Sequence, residues 1–277
     1  MNSHRRSPRS LLAVGAGAAL LLLSACGNGD DGGSSDTGTG DAADLGLISE
    51  GTLTACSNVP YPPFEVEDAE APSGYSGFDI DLLQAIADEL GLTLEVANVG
   101  FDALQSGTVF AAGQCDIGAS AITITEERAA NITFSDPYYD SLQSLLVATD
   151  SGIASIDDLA GKSVGVQAAT TGLSYAQENA PEGTNLVEYP GDSELWSALQ
   201  AGQVDAVLQD LPVNLEHVTE GEYEIVEEYT TDEQYGYAMA KDASPELVDA
   251  INTSLQTLRD DGTYQEIYDS YFAVDGR

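Results

Sequence analysis

Apolar and polar positions along this chain follow two periods that take turns. In "GTLTACSN" (51–58) they alternate as in a strand. In "GFDIDLLQAIADELG" (77–91) Phe78, Leu82, Ile86 and Leu90 recur every four residues, the stripe of an amphipathic helix, and Gly91 stops it. "LTLEVANV" predicts a strand, "DALQSGTVFAAG" mostly helix, "CDIGASAI" a strand, "TEERAAN" a short helix and "ITFS" a short strand. After "SDPYYDS" the cycle restarts: "SLLVAT" strand, "SIDDLAG" helix, "KSVGVQA" strand, "TGLSYAQENA" helix, "NLVEYP" strand, "SELWSALQAG" helix and "VDAVLQD" strand. "YGYAMA" reads as a last strand, with "SPELVDAINTSLQTLRDDG" and "TYQEIYDSYF" as closing helices. Such alternation predicts an α/β fold with mostly parallel sheets flanked by helices.

The strand-helix unit occurs twice. "LTACSN" and "SVGVQAATT" both run from a strand into a polar turn, while "CDIGASAIT" and "VDAVLQD" are both acid-marked strands with polar ends. Two similar lobes are therefore expected. Ligands of open α/β sheets bind beyond the carboxyl ends of strands. Here those ends carry the loops 58–64, 119–125, 167–172 and 209–212, which meet in one cleft if the lobes face each other.

The first 45 residues break the pattern. Arg5, Arg6 and Arg9 precede the apolar run "LLAVGAGAALLLLSA", and Cys26 follows small residues. This is the anatomy of a cleaved leader, residues 1–25. "LSAC" resembles a bacterial lipobox, which implies lipidation of Cys26. Residues 26–45 are Gly, Ser, Thr and Asp with little to bury, so they predict a flexible acidic tether. No later run is apolar enough to cross a bilayer.

Charge narrows the partners. Beyond Cys26 the only Lys and Arg are Arg128, Lys162, Lys241, Arg259 and Arg277, against 47 Asp and Glu. Such a field repels nucleic acid and anionic lipid. Cys56 and Cys115 are an even pair in an exported chain, to be read as a disulfide or as two buried thiols.

Enzyme signatures are absent: the only histidines are His4 and His217, and no CxxC, HExxH, G-x-S-x-G or P-loop occurs. Neither cofactor nor metal is expected. Asp79 and Asp81 have DxD spacing, but acids in a first helical turn complement the dipole, and that reading is preferred. What remains suits a zwitterion. Arg128 is a planar fork of donors for a carboxylate, in a chain that almost abolishes cations. Thr123 and Thr125 share its turn. Thr170 and Thr171 open a helix whose free N–H groups attract anions, or serve as plain N-caps. Asp210 ends an apolar strand, where an ammonium would pair it, or caps the helix near Pro212. Tyr61 and Phe101 are candidate apolar walls.

These stretches resemble a known family, the bacterial solute-binding proteins of family 3, receptors of polar amino-acid ABC transporters. "GFDIDLLQAIADEL", "AITITEER…FSDPYY", "GKSVGVQAATT", "VDAVLQDLP", "QYGYAMAKD" and "DGTYQEIYDSYF" follow in the family's order over residues 46–277. The resemblance implies a two-lobed type II periplasmic-binding-protein fold, with lobe 1 at 46–139 and 236–277, lobe 2 at 140–235, and a two-strand hinge. It also implies that Arg128 and Thr123, with the backbone N–H groups of Ala121 and Thr171, hold a ligand carboxylate. Asp210 would hold the ammonium, Tyr61 and Phe101 would sandwich the side chain, and Asn58, Gln167 and Gln209 would select it. The neutral amides favour a glutamine-like ligand. The expected partners are a permease and its ATPase, and the protein is expected to be a monomer lipid-anchored outside the cell. The rivals are a secreted cyclohexadienyl dehydratase-like enzyme and a ligand-sensing module.

Overall fold

The computed structural model describes residues 45–219 and 221–272. The expected leader, the Cys26 lipidation site and all but the last residue of the tether lie outside them.

Strand β1 (Thr52–Ser57) opens a first sheet. A hairpin of β2 (Val66–Glu67) and β3 (Tyr75–Ser76) leads into helix α1 (Phe78–Glu89). Gly77 makes that entry possible, with φ at 117° and the Phe64 carbonyl oxygen 2.3 Å from where a Cβ would stand. Helix α1 buries Ile80 and Leu83 as well as Phe78, Leu82 and Ile86, so its apolar face is wider than the four-residue stripe. Strand β4 (Thr93–Asn98) returns parallel to β1, Leu94 beside Leu53.

The next expected helix is two: α2 (Phe101–Gln105) and α3 (Thr108–Ala111), parted by left-handed Gly107. Strand β5 is only Ile117–Gly118, so most of the predicted 115–122 strand is loop, from which Ser120 and Ala121 line the site described below. Then come α4 (Glu126–Ala129) and β6 (Ile132–Phe134).

Strand β7 (Tyr139–Ala148) carries the chain into a second sheet. "SIDDLAG" forms a 3₁₀ turn at Ile156–Leu159 rather than an α-helix. β8 (Ser163–Gln167), α5 (Thr171–Asn179), β9 (Asn185–Tyr189), α6 (Asp192–Gln200), β10 (Ala206–Asp210) and α7 (Leu211–His217) follow. The long β11 (Tyr223–Tyr235) is not foreshadowed by the alternation, because register shifts at Ile225/Glu227 and Tyr229/Glu233 break its period of two. It leads back to β12 (Ala238–Ala240) in the first sheet, and α8 (Pro245–Asp261) and α9 (Thr263–Phe272) pack on α1.

The sheet orders are β4-β1-β5-β12-β6 and β11-β7-β10-β8-β9. Each holds two parallel and two antiparallel pairings, which corrects the expectation of mostly parallel sheets. The physical reason is the return path. β7 leaves the first lobe and β11 comes back, so they pair antiparallel, with Tyr139 opposite Tyr235. Each sheet has its own core, exemplified by Leu53, Ile86, Met239 and Ile251 in one and Leu145, Val164 and Leu208 in the other.

Cys56, at the end of β1, is joined by a disulfide to Cys115, with Cα atoms 5.8 Å apart and both residues buried. The bridge closes a 59-residue separation two positions before Asn58. Replacing both cysteines by serine is expected to cost about 2–4 kcal/mol of stability. Denaturant titration checks this; a variant as stable as the parent would refute it.

Candidate functional site

Loops from both lobes converge on one cleft. Ten of the eleven side chains expected from the sequence line it: Asn58, Tyr61, Phe101, Ala121, Thr123 and Arg128 from the first lobe, Gln167, Thr170, Thr171 and Asp210 from the second. Ser120 lines it too. The space at this opening, part of it open to solvent, is about 300 Å³.

Arg128 is built in by its own helix. Thr125 N-caps α4, its hydroxyl accepting from the Arg128 N–H at 3.1 Å. The Arg128 side chain is buried, with its Nη1 on the Thr123 carbonyl (2.9 Å) and its Nη2 on the Ala169 carbonyl of the other lobe (3.1 Å). Its guanidinium carbon lies 5.2 Å from the Phe101 ring centre. Among the described residues no carboxylate comes within ion-pair distance of it; the ion pairs found are Lys162–Asp205 and His217–Asp192. Burial lowers its pKa from the ordinary value, and the fields of Asp210 and Glu233 hold it up. An arginine has five N–H donors, and these two carbonyls take two of them.

Asp210 is the acidic counterpart. It sits at the start of α7 but makes no side-chain cap. Instead its carboxylate turns inward and accepts from the Tyr61 hydroxyl (2.8 Å), the Tyr235 hydroxyl (2.6 Å) and the Gln143 amide (2.5 Å). Its pKa is raised to about 6, first by burial and then by Glu233, while these three hydrogen bonds pull it back. No cation lies within ion-pair distance of this carboxylate among the described residues.

Several expected roles change in the folded chain. The Ala121 N–H cannot hold a ligand carboxylate, because it already donates to Asp79 at 2.7 Å. Thr170 is a cap: its hydroxyl accepts from the Leu173 N–H (3.2 Å) and donates to the Gln167 carbonyl (2.7 Å). Gln209 is turned away from the cleft, its amide donating to Asp192 (2.9 Å) and Asn214 (3.1 Å). Strand alternation puts Gln209 and Asp210 on opposite faces, so both cannot enter one cavity. Thr123 and Thr171 donate their hydroxyl protons to Glu233, at 3.0 and 2.9 Å. Asn58 and Gln167 bond each other across the cleft at 2.9 Å.

Asp79 and Asp81 do open α1, yet Asp79 is more than a dipole partner. It is fully buried and also accepts from the Tyr138 hydroxyl at 2.7 Å. Asp81 accepts from Tyr271. Among the described residues no cluster of His, Cys, Asp or Glu is suited to a metal.

Behind the cleft, Glu65 is likewise fully buried, holding the Ser120 hydroxyl at 2.5 Å, and that hydroxyl accepts from the Asn58 N–H. Ala121 (φ 47°), Ala169 (φ 64°) and Asp232 (φ 53°) are the non-glycine residues with positive φ among those described. The first two adjoin the cleft, where the Ala121 N–H goes to Asp79 and the Ala169 carbonyl takes Arg128, while exposed Asp232 precedes Glu233 in the chain. Such conformations persist only where the surroundings over-determine them, and they gather at functional sites.

With this geometry in place, comparison with known proteins identifies the family. Residues 53–274 match the bacterial extracellular solute-binding proteins, family 3. The chain belongs to that family. This solute-binding protein is 33% identical over 233 residues to the putative ABC transporter arginine-binding protein 2 of Escherichia coli strain K12, covering 82% of this chain and 93% of the relative. It is also 33% identical over 272 residues to the ABC transporter glutamine-binding protein GlnH of Bacillus subtilis strain 168, covering 93% and 94%. The solved structure of an ancestral arginine-binding protein bound to glutamine superposes with a TM-score of 0.74 at 34% identity, over 82% of this chain and 100% of that one. The relatives named here are binding proteins, in keeping with the absence of an enzyme signature in the sequence.

Glu233, Gln143, Tyr235 and Ser120 are the site residues that the sequence does not single out. Three of them lie on the crossing strands β7 and β11, where nothing local distinguishes them from ordinary strand positions.

The buried acids carry a pH signature. Burial raises the Asp79 pKa to about 7, and it raises Glu65 well above the usual range, with Asp79 adding to the shift. A folded pKa above the unfolded one means that the stability tied to Asp79 is fully present below about pH 4 and is lost as pH rises through about 7; that tied to Glu65 changes in the same direction. Glu65→Gln is therefore expected to raise the melting temperature at pH 8 by about 3 °C or more. The difference should shrink toward pH 4. Melting curves across that range test it; a gain independent of pH would contradict it.

Proposed function

We propose that this protein captures a polar α-amino acid between its two lobes and presents it to the permease and ATPase of an ABC transporter. The single observation that carries the reading is a buried guanidinium and a buried carboxylate that, among the described residues, have neither a counter-ion nor a cation within ion-pair distance. A zwitterion supplies both missing charges. Its carboxylate meets the N–H groups of Arg128 and the exposed N–H at the start of α5, and its ammonium meets Asp210. Removing one member of such a buried charged contact costs about 2–5 kcal/mol.

The lobes divide at 139/140 and 235/236, with the paired β7 and β11 as a hinge that closes on the ligand. The bonds that already span the cleft, from Tyr61 to Asp210, Asn58 to Gln167 and Arg128 to Ala169, are those a closed pair of lobes makes. Phe101 supports the guanidinium from behind and Tyr61 brings an aromatic wall with its hydroxyl on Asp210. At the far end Asn58 and Gln167 bring no charge, and their amide nitrogens already donate, Asn58 to the Val99 carbonyl and Gln167 to Asn58 and the Pro190 carbonyl. That pair suits a neutral amide side chain, so glutamine is the favoured ligand among the arginine, histidine and glutamine named for the relatives.

The protein works outside the cytoplasm as a monomer. Cys26, after the small residues of "LSA", anchors it to the outer face of the membrane through lipid.

Two experiments test these statements. Calorimetry should show glutamine binding to the wild type, lost on Arg128→Ala with an unchanged circular dichroism spectrum. Affinity should also fall about tenfold per pH unit below about 6, where Asp210 takes a proton and cannot hold an ammonium. Undiminished binding by Arg128→Ala would end the reading; a response to arginine and none to glutamine would end the side-chain assignment. Separately, Cys26→Ser should release the protein from the membrane fraction into the soluble extracytoplasmic fraction. Retention in the membrane would exclude the lipid anchor.

A further inference from the structure

Two buried acids hold neighbouring residues of the cleft loop, each by one oxygen. Glu65 Oε1 accepts from the Ser120 hydroxyl at 2.5 Å. Asp79 Oδ2 accepts from the Ala121 N–H and the Tyr138 hydroxyl, both at 2.7 Å. The backbone also brings the acids together from behind. The Asp79 N–H donates to the Phe64 carbonyl at 3.1 Å, and Gly77 leaves no room for a side chain against Phe64 and Glu65. The other two oxygens, Glu65 Oε2 and Asp79 Oδ1, are buried and receive no hydrogen bond from any described residue. No cation lies within ion-pair distance of either acid among the described residues.

An ionised carboxylate only accepts. Two ionised acids here would leave both orphan oxygens unsatisfied and set two like charges against each other away from water. One proton removes both faults, because it turns one orphan oxygen into a donor to the other. We infer that Glu65 and Asp79 share a single proton between Oε2 and Oδ1, and that this acid pair, with one charge instead of two, is the positioning unit that holds Ser120 and Ala121 in the cleft. The surroundings supply no substitute. Asp210 adds negative field to Glu65, and the phenols of Tyr61, Tyr138 and Tyr237 around the pair keep their own protons, since burial raises the pKa of each. Asp81, two positions along α1, is taken up by Tyr271. The shared proton stands whatever the cleft binds; its effect on affinity rests on the cleft being an amino-acid site.

Infrared difference spectra of the purified protein test the proton at about pH 8, where ordinary carboxyls are ionised. The wild type should show the C=O stretch of a protonated carboxyl, and both Glu65→Gln and Asp79→Asn should lack it, because the amide that replaces either acid donates to the one that remains. No such band in the wild type would overturn the inference. So would a band that survives Asp79→Asn, since Glu65 would then hold a proton of its own. Calorimetry with L-glutamine, L-arginine and L-histidine gives a second readout that does not depend on Asp79→Asn folding. For the probe that the wild type binds, Glu65→Ala should lose about tenfold in affinity, as Ser120 and Asp79 both lose a partner. Glu65→Gln, which mimics the protonated acid, should restore binding to within about threefold. Glu65→Gln as weak as Glu65→Ala would count against the pair, as would Glu65→Ala binding like the wild type. Binding of none of the three amino acids would end the amino-acid reading, while the spectra would still decide the proton.

Discussion

A guanidinium buried with no carboxylate on it among the described residues is the constraint around which the cleft is organised. Removing a charge from water costs several kcal/mol even after relaxation. The chain offsets this with two backbone carbonyls and an aromatic face, and with the more distant fields of Asp210 and Glu233. A carboxylate side chain placed directly on Arg128 would satisfy it better. Among the described residues, rich in acids as they are, none is placed there. That keeps the donor fork available for an anion that arrives from outside.

The acids show the same logic from the other side. Asp210 receives three hydrogen bonds from neutral groups, enough to hold it in place and short of cancelling its charge. Burial keeps its pKa near 6, so it is ionised at neutral pH and still seeks a cation. Glu65 and Asp79 sit one layer back. They hold Ser120 and Ala121, and through Ser120 the backbone of Asn58. Ala121 accepts a left-handed backbone because Asp79 grips its N–H. The charged layer at the ligand therefore stands on a second layer of carboxyls whose own burial costs stability as pH rises.

The crossing strands are part of the site. Gln143, Glu233 and Tyr235 come from β7 and β11, and each bonds a group that lines the cleft. The segment about which the lobes would turn thus also sets the orientation of Asp210 and of the threonine hydroxyls. The crossing strands and the cleft therefore share a few hydrogen bonds.

Much was legible in one dimension. Periodicity located α1, α5, α6, α8 and the strands β1, β4 and β8, because each buries one stripe or one face and local spacing records that. The doubled strand-helix unit announced two lobes, and the scarcity of cations made Arg128 conspicuous. Local sequence does not encode which partner a polar group finds across more than a hundred positions. That Tyr61 reaches Asp210 and that Thr123 faces Glu233 follow from the crossing of β7 with β11 and from a bulge at 230–232. A bulge shifts register by whole residues and breaks the period of two, so it erases the signal by which a strand is read. Residue chemistry told which groups could bind an amino acid; the direction of each proton between them was decided only when the two sheets came together.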